Sequence, residues 1–169
     1  MKELNENAKK QDTSTYDLIV IGGGAWDRLH KFSTAEEIAA HCALISGLVD
    51  EINAIQELGI KVVWMTPTTI NNPALNTLEK RDHMTEEDMS DRRSKYEQIG
   101  VNKAASLVLN GPSLTRERVS ESYDCVHYPQ DVYDAGAQIL ANAYDWVLPE
   151  ITVAKNLQPL KLQRWQDRF

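Results

Sequence analysis

The 169-residue sequence has only two cysteines, Cys42 and Cys125. Two can close one bridge at most, which excludes a disulfide-stapled scaffold and favours a reducing, cytoplasmic compartment. Neither lies at metal-ligand spacing from another cysteine or a usable histidine, so no metal or other cofactor is expected. Long hydrophobic runs are missing as well. No stretch approaches ~18 consecutive apolar residues, so no membrane span is expected. The opening residues, MKELNENAKKQDTSTY, lack the apolar segment of a secretory signal and read as a disordered lead-in over 1–16. Basic excess is absent too. Lys and Arg number 18 against 25 Asp and Glu, a net charge of -7. That balance argues against a nucleic-acid footprint or an anionic-membrane patch. No internal repeat or low-complexity run occurs.

What is present is ordinary for one globular domain: 42% hydrophobic and 25% charged residues. That length can bury a core without staples. Residues 17–24, DLIVIGGG, form a near-continuous β-branched run without alternation, the pattern of a buried parallel strand. A polar loop, AWDRLHKFS, follows. Ser33 or Thr34 with Glu36 and Glu37 behind it opens a helix, and Gly59 stops it. Its apolar positions are Ile38, Leu44, Ile45, Leu48, Ile52 and Ile55. KVVWM, 61–65, is a second buried strand ended by Pro67. TPTTINNPALNTLEKRDHM reads as a long polar loop. Thr85 caps a charged helix, SLVL at 106–109 is a third strand, and Pro129 opens a final helix with Val132, Ala135, Ile139, Leu140 and Ala143 on one face. Alternating strands and helices predict an α/β fold, a parallel sheet with crossover helices in three layers. Functional groups are then expected at the strand C-termini: 22–27, 66–72 and 110–127.

The run of three glycines raises a dinucleotide site. Gly22 and Gly24 supply G-x-G, but the third position is Asp27, where a carboxylate would face a pyrophosphate. The helix does not start at the glycines, and no acidic residue follows a second strand at the required distance. A dinucleotide-binding protein is therefore the weaker reading.

Asp124 and His127 form D-x-x-H just before the final helix. Three residues apart in a turn, an aspartate can hold a histidine by Nδ1 and leave Nε2 to a cleft. Taken alone, the pattern better fits an aspartate that caps a turn beside a solvent-facing histidine, because four-residue patterns recur by chance. The segment SYDCVHYPQDVYDAGAQILANAY resembles the last block of the SGNH (GDSL-like) hydrolase superfamily. The likeness is greatest to its PC-esterase-like branch, in which Asp-Gly-x-His-Tyr-Pro precedes a helix; Asp124, His127, Tyr128 and Pro129 match, with Cys125 at the glycine. Gly24-Ala25-Trp26-Asp27 resembles the family's Gly-x-Asn-Asp block, VVWMTPTT its next strand, and Asp88 to Tyr96 its D-M-x-x-R-x-x-Y segment. Together these cover most of residues 17–148.

The resemblance implies a three-layer flavodoxin-like fold, here truncated to about three parallel strands, within a domain spanning 17–148 and followed by a tail over 149–169. It implies His127 as general base oriented by Asp124, with Gly24, Trp26 and Asp27 in the oxyanion and substrate region, acting on a small-molecule or glycan acyl ester by serine acylation. The departures are specific. No Gly-Asp-Ser occurs, Trp26 occupies the asparagine position, and only sixteen polar residues precede the strand that resembles the family's third. The expectation is an ester hydrolase domain lacking its nucleophile block, weakly active or inactive as this chain. The alternative is a non-catalytic interaction module. Its Asp17–Gly24 strand, left at a sheet edge, would pair with a second copy or a partner chain. Ser113 reads as a turn serine. His30 reads as a loop histidine and His41 as a helix-surface one. Trp64 and Met65 read as core, and Asn71 and Asn72 as either substrate contacts or turn residues.

Overall fold

A computed structural model describes residues 18–30 and 34–147. The lead-in and the tail fall outside them. Strand β1 is Leu18–Gly22, followed by α1 (Ala25–His30) and α2 (Ala35–Glu57). Strand β2 is Lys61–Met65, and a 3-10 turn at Asn72–Ala74 leads to α3 (Leu78–His83) and α4 (Glu86–Ile99). Then come α5 (Val101–Ala104), β3 (Leu107–Leu109), α6 (Gly111–Thr115), a second 3-10 turn at Arg116–Glu121 and α7 (Gln130–Val147). The fold is α/β, as expected. Its three strands are parallel in the order β1-β2-β3, with Val20 opposite Val63 and Val63 opposite Leu107.

Helices α2 and α4 start on capping boxes. Thr34 accepts the Glu37 N–H at 3.2 Å, and Thr85 accepts that of Asp88 at 3.2 Å; each acid returns a bond to the cap backbone. These contacts satisfy amide donors that a helix start otherwise leaves orphaned.

Alternation along the strands sends Ile19, Ile21, Val62, Trp64 and Val108 to one face. There they meet Ile45, Ile52 and Ile55 of α2, Tyr96 of α4 and Val101 of α5. Each fully buried isoleucine contributes roughly 1.5–3 kcal/mol. Val63 and Leu109 point to the other face, where α7 packs against β3. On β1, Val20 stays 46% exposed on that face. A second apolar cluster of Leu29, Ile70, Leu75, Met84, Met89 and Cys125 sits beyond the strand ends.

Several expectations need correction. The polar stretch after Gly24 is helical over Ala25–His30, because Leu29 and Arg28 are buried on one side of a single short turn. The supposed long loop of 66–84 is ordered by Ile70, Leu75 and Met84, which plug the second cluster. Of the apolar positions of α2, Leu44 is exposed; in α7, Val132 of the expected face is buried, but Ala135 and Ile139 are exposed and Gly136 turns inward beside Val132. By length and composition α2 suffices to cross a bilayer, although its apolar run is interrupted. In this fold its isoleucines pack on the sheet.

Candidate functional site

The Asp124–Tyr128 loop is built by a reversal at Cys125, whose φ of 80° is left-handed. A non-glycine residue is strained there, which is the physical reason for a glycine at this position in the resembled motif. The thiol side chain is fully buried among Ile70, Met84 and Met89. The reversal lets Asp124 Oδ1 accept the N–H of Val126 at 3.1 Å and of His127 at 2.8 Å, while Oδ2 meets His127 Nδ1 at 2.6 Å. Burial pulls the Asp124 carboxyl upward, but bonds from the His127 ring and from the two backbone N–H groups outweigh it and hold the group below its ordinary range. An ionised carboxylate can only accept. Nδ1 therefore carries a proton, and in the neutral ring Nε2 is the accepting nitrogen.

Backbone carbonyls of the same loop are gripped from the β2 side. Asn71 donates its side-chain amide to Ser122 O at 2.7 Å and its N–H to Cys125 O at 3.0 Å. Thr68 Oγ1 reaches Val126 O at 3.4 Å, and Lys80 Nζ reaches Asp124 O at 3.4 Å. Tyr128 donates its hydroxyl to Thr69 O at 2.7 Å, and its N–H goes to Tyr133 Oη at 3.0 Å. Asn71 is thus buried loop scaffolding. Asn72 caps Glu86 N at 2.8 Å, so both asparagines take the turn reading.

His127 lines a cavity of about 440 Å³ at the C-terminal end of the sheet, on the face that α7 half covers. Gly23, Gly24, Ala25, Trp26 and Asp27 form the opposite rim. The expected residues Asp124, His127, Gly24, Trp26 and Asp27 therefore gather at one end of the strands, with His127 exposed at the mouth. Among the described residues the cavity wall holds no serine; Thr66 and Thr68 are its aliphatic hydroxyls, engaged with Gly111 N and Val126 O. Ser113 is exposed, but on α6 and not in the turn that was expected; its N–H bonds the Oδ1 of Asn110, the cap of that helix. Met65, expected in the core, instead lines the cavity. Tyr133 was not anticipated, because a lone tyrosine early in a helix carries no sequence signal; its hydroxyl accepts a backbone N–H, so its own proton is left to donate.

Beneath the Gly24 turn lies a polar layer that the sequence did not disclose. Gly24 has φ of 110°, and a Cβ there would collide with the Tyr96 hydroxyl. Tyr96 Oη lies 2.8 Å from His41 Nε2. Burial pushes Tyr96 up to about 12 although the neighbouring Arg92 opposes this, and burial together with Arg92 lowers His41. His41 is 5% exposed, which corrects its reading as a surface residue: it sits on the inner side of α2, not the outer one. Arg28 pairs with Asp88 at 2.8 Å and anchors α1 to α4. His30 ends α1, stacked on Trp26 at 5.6 Å and bonded to Glu79 at 3.3 Å.

No family model matches the chain. No curated protein matches it. Among solved structures it is similar to a mutant of an acetyl-xylooligosaccharide esterase from Geobacillus Stearmophilus, at 18% identity and a TM-score of 0.47. The match covers 86% of this chain and 66% of that one, just under two thirds of its length.

Proposed function

We propose that the chain is an SGNH/PC-esterase-like acyl-ester hydrolase domain in which Asp124 and His127 are the acid–base pair. The observation that carries this reading is the 2.6 Å contact between Asp124 Oδ2 and His127 Nδ1 at the mouth of a cavity rimmed by Gly24, Trp26 and Asp27. An imidazole held by Nδ1 can take a proton from an attacking hydroxyl through Nε2 and return it to the leaving alcohol. With no serine in the described wall, water is the attacking group. Gly24 N–H and the Trp26 indole N–H are the donors offered to the developing oxyanion. Fewer aligned donors mean less stabilisation of that charge, so turnover is slow.

Hydrolysis of p-nitrophenyl esters by the full chain tests the proposal. The expected outcome is a slow rate above buffer that falls about 10²-fold or more in His127→Ala, the scale of general acid–base catalysis. An unchanged rate in the variant would sink it. A fluorophosphonate probe is expected to leave the protein unlabelled. Labelling that disappears in His127→Ala would assign a serine nucleophile and replace the water step.

A second reading is favoured by the half-exposed Val20 on β1, which has a strand on one side only among the described residues. An apolar strand edge invites pairing with a second copy or a partner chain. Size-exclusion chromatography tests it. A self-associating species supports the reading, and a well-behaved monomer of 19.1 kDa with cooperative unfolding counts against it.

A further inference from the structure

The chemical character of the cavity changes from mouth to floor. The mouth carries His127, Asp27 and the Tyr133 hydroxyl. The rest of the lining is mainly aliphatic: Met65, Leu109, Leu114, Val132 and Leu140, with Gly136 keeping α7 flat against the space and the Thr66 and Thr68 hydroxyls taken up by Gly111 N and Val126 O. Leu109 and Val132 are buried in the protein core, yet both also line this opening. A volume of about 440 Å³ lies in the range that holds a small ligand and far exceeds the needs of a two-carbon acyl group. Water in such a space finds few partners, so an apolar group displaces it favourably.

We infer that the cavity is an acyl-chain site that takes a straight aliphatic chain of about six to ten carbons. The carboxyl or ester carbon lies at the mouth beside His127 Nε2, and the tail runs along Leu109 toward Leu140. Three features select this occupant. The lining is aliphatic below the mouth, which favours a chain over a sugar. Polar groups sit at one end only, which fits a ligand with one polar terminus. Met65, unbranched and half-exposed, is an adaptable wall for a flexible tail. Tyr133 offers its hydroxyl proton to a carbonyl or carboxylate oxygen at the mouth and so orients the ligand; it is a positioning residue. The inference rests on the acyl-ester reading for the identity of the polar end, but not for the chain-length dependence.

Isothermal titration of the full chain with acetate, butanoate, hexanoate, octanoate and decanoate tests it. Each added methylene is expected to tighten binding about two- to fourfold until the cavity is full. Gly136→Leu, which projects a side chain into the space, is expected to weaken octanoate at least tenfold and to leave acetate unchanged. Gly136→Ala, whose Cβ would meet Leu114 Cδ1 at an ordinary 3.4 Å, controls for folding and keeps chain-length dependence. Tyr133→Phe is expected to weaken all the acids by a similar factor, a pattern that a loss of packing alone would not give. Affinity that ignores chain length, or octanoate binding untouched by Gly136→Leu in a folded variant, overturns the inference. If binding is graded but no His127-dependent hydrolysis occurs, the hydrolase reading fails alone. If hydrolysis occurs and binding is flat, only the acyl-chain inference falls.

Discussion

Two histidines, one exposed and one buried, are held by different partners on the two sides of the Gly24 turn. His127 lines the cavity across from that turn, held by the ionised Asp124 and half exposed. His41 is buried, bonded to the Tyr96 hydroxyl that lies under Gly24, with Arg92 near. The contrast lies in what each partner does to the ring. The carboxylate at Nδ1 fixes the tautomer and orientation of the His127 ring. Burial and a neighbouring guanidinium disfavour positive charge, so His41 is a neutral strut. The exposed histidine is the one proposed for chemistry, and the buried one, through Tyr96, packs beneath the turn on the cavity rim.

That division can be broken most severely at Gly24. A side chain there meets both the left-handed φ and the Tyr96 hydroxyl, so Gly24→Ala is expected to lower stability by about 2–4 kcal/mol in denaturant unfolding. A loss under about 0.5 kcal/mol would mean that the strut does not bear on the turn. Next in size is the direct comparison of the two histidines. His41→Ala leaves the Tyr96 hydroxyl buried without this partner and opens a void, for about 2–3 kcal/mol. His127→Ala, at an exposed site, is expected to cost less than about 1 kcal/mol. Equal losses would erase the distinction.

Cys125 sharpens the comparison from the other side, since the Asp124–His127 geometry depends on its left-handed backbone. Cys125→Val puts a β-branched residue at that φ and is expected to melt at lower temperature than Cys125→Gly, by the equivalent of about 1–2 kcal/mol. The reverse order would contradict the strain argument.

The smallest effect is in pH. His41 is lowered in the fold, so as pH falls the unfolded chain takes up the proton first. The stability it contributes is complete above about pH 6.5 and declines below it. The stability gap between wild type and His41→Gln is therefore expected to narrow from pH 7 to pH 5. Asp124 has a depressed pKa, so its contribution is present throughout that window and is lost only as pH falls through its folded value, below the ordinary carboxylate range.

Much of this was legible in the sequence. Long β-branched runs, capping pairs at Thr34 and Thr85 and the glycine punctuation dictate the strands and long helices, because local chemistry decides them. D-x-x-H was legible because its partners are three residues apart. Distance in sequence hid the rest. The grip of Asn71 and Thr68 on the loop spans 51 and 58 residues, and that of Tyr96 on His41 spans 55, so no local pattern announces them. Helix α1 was missed because six residues carry too little periodicity, and its order comes from Arg28 reaching Asp88.

The central claim is that Asp124 and His127 act as one unit. The direct test is a cycle of ester hydrolysis rates over wild type, Asp124→Asn, His127→Ala and the double variant. Asparagine keeps an oxygen for the Val126 and His127 N–H groups while removing the charge. The account predicts that both single variants lose most of the rate and that the double variant is no slower than His127→Ala. Full rate in Asp124→Asn, or losses that multiply in the double variant, would show two independent residues and contradict it.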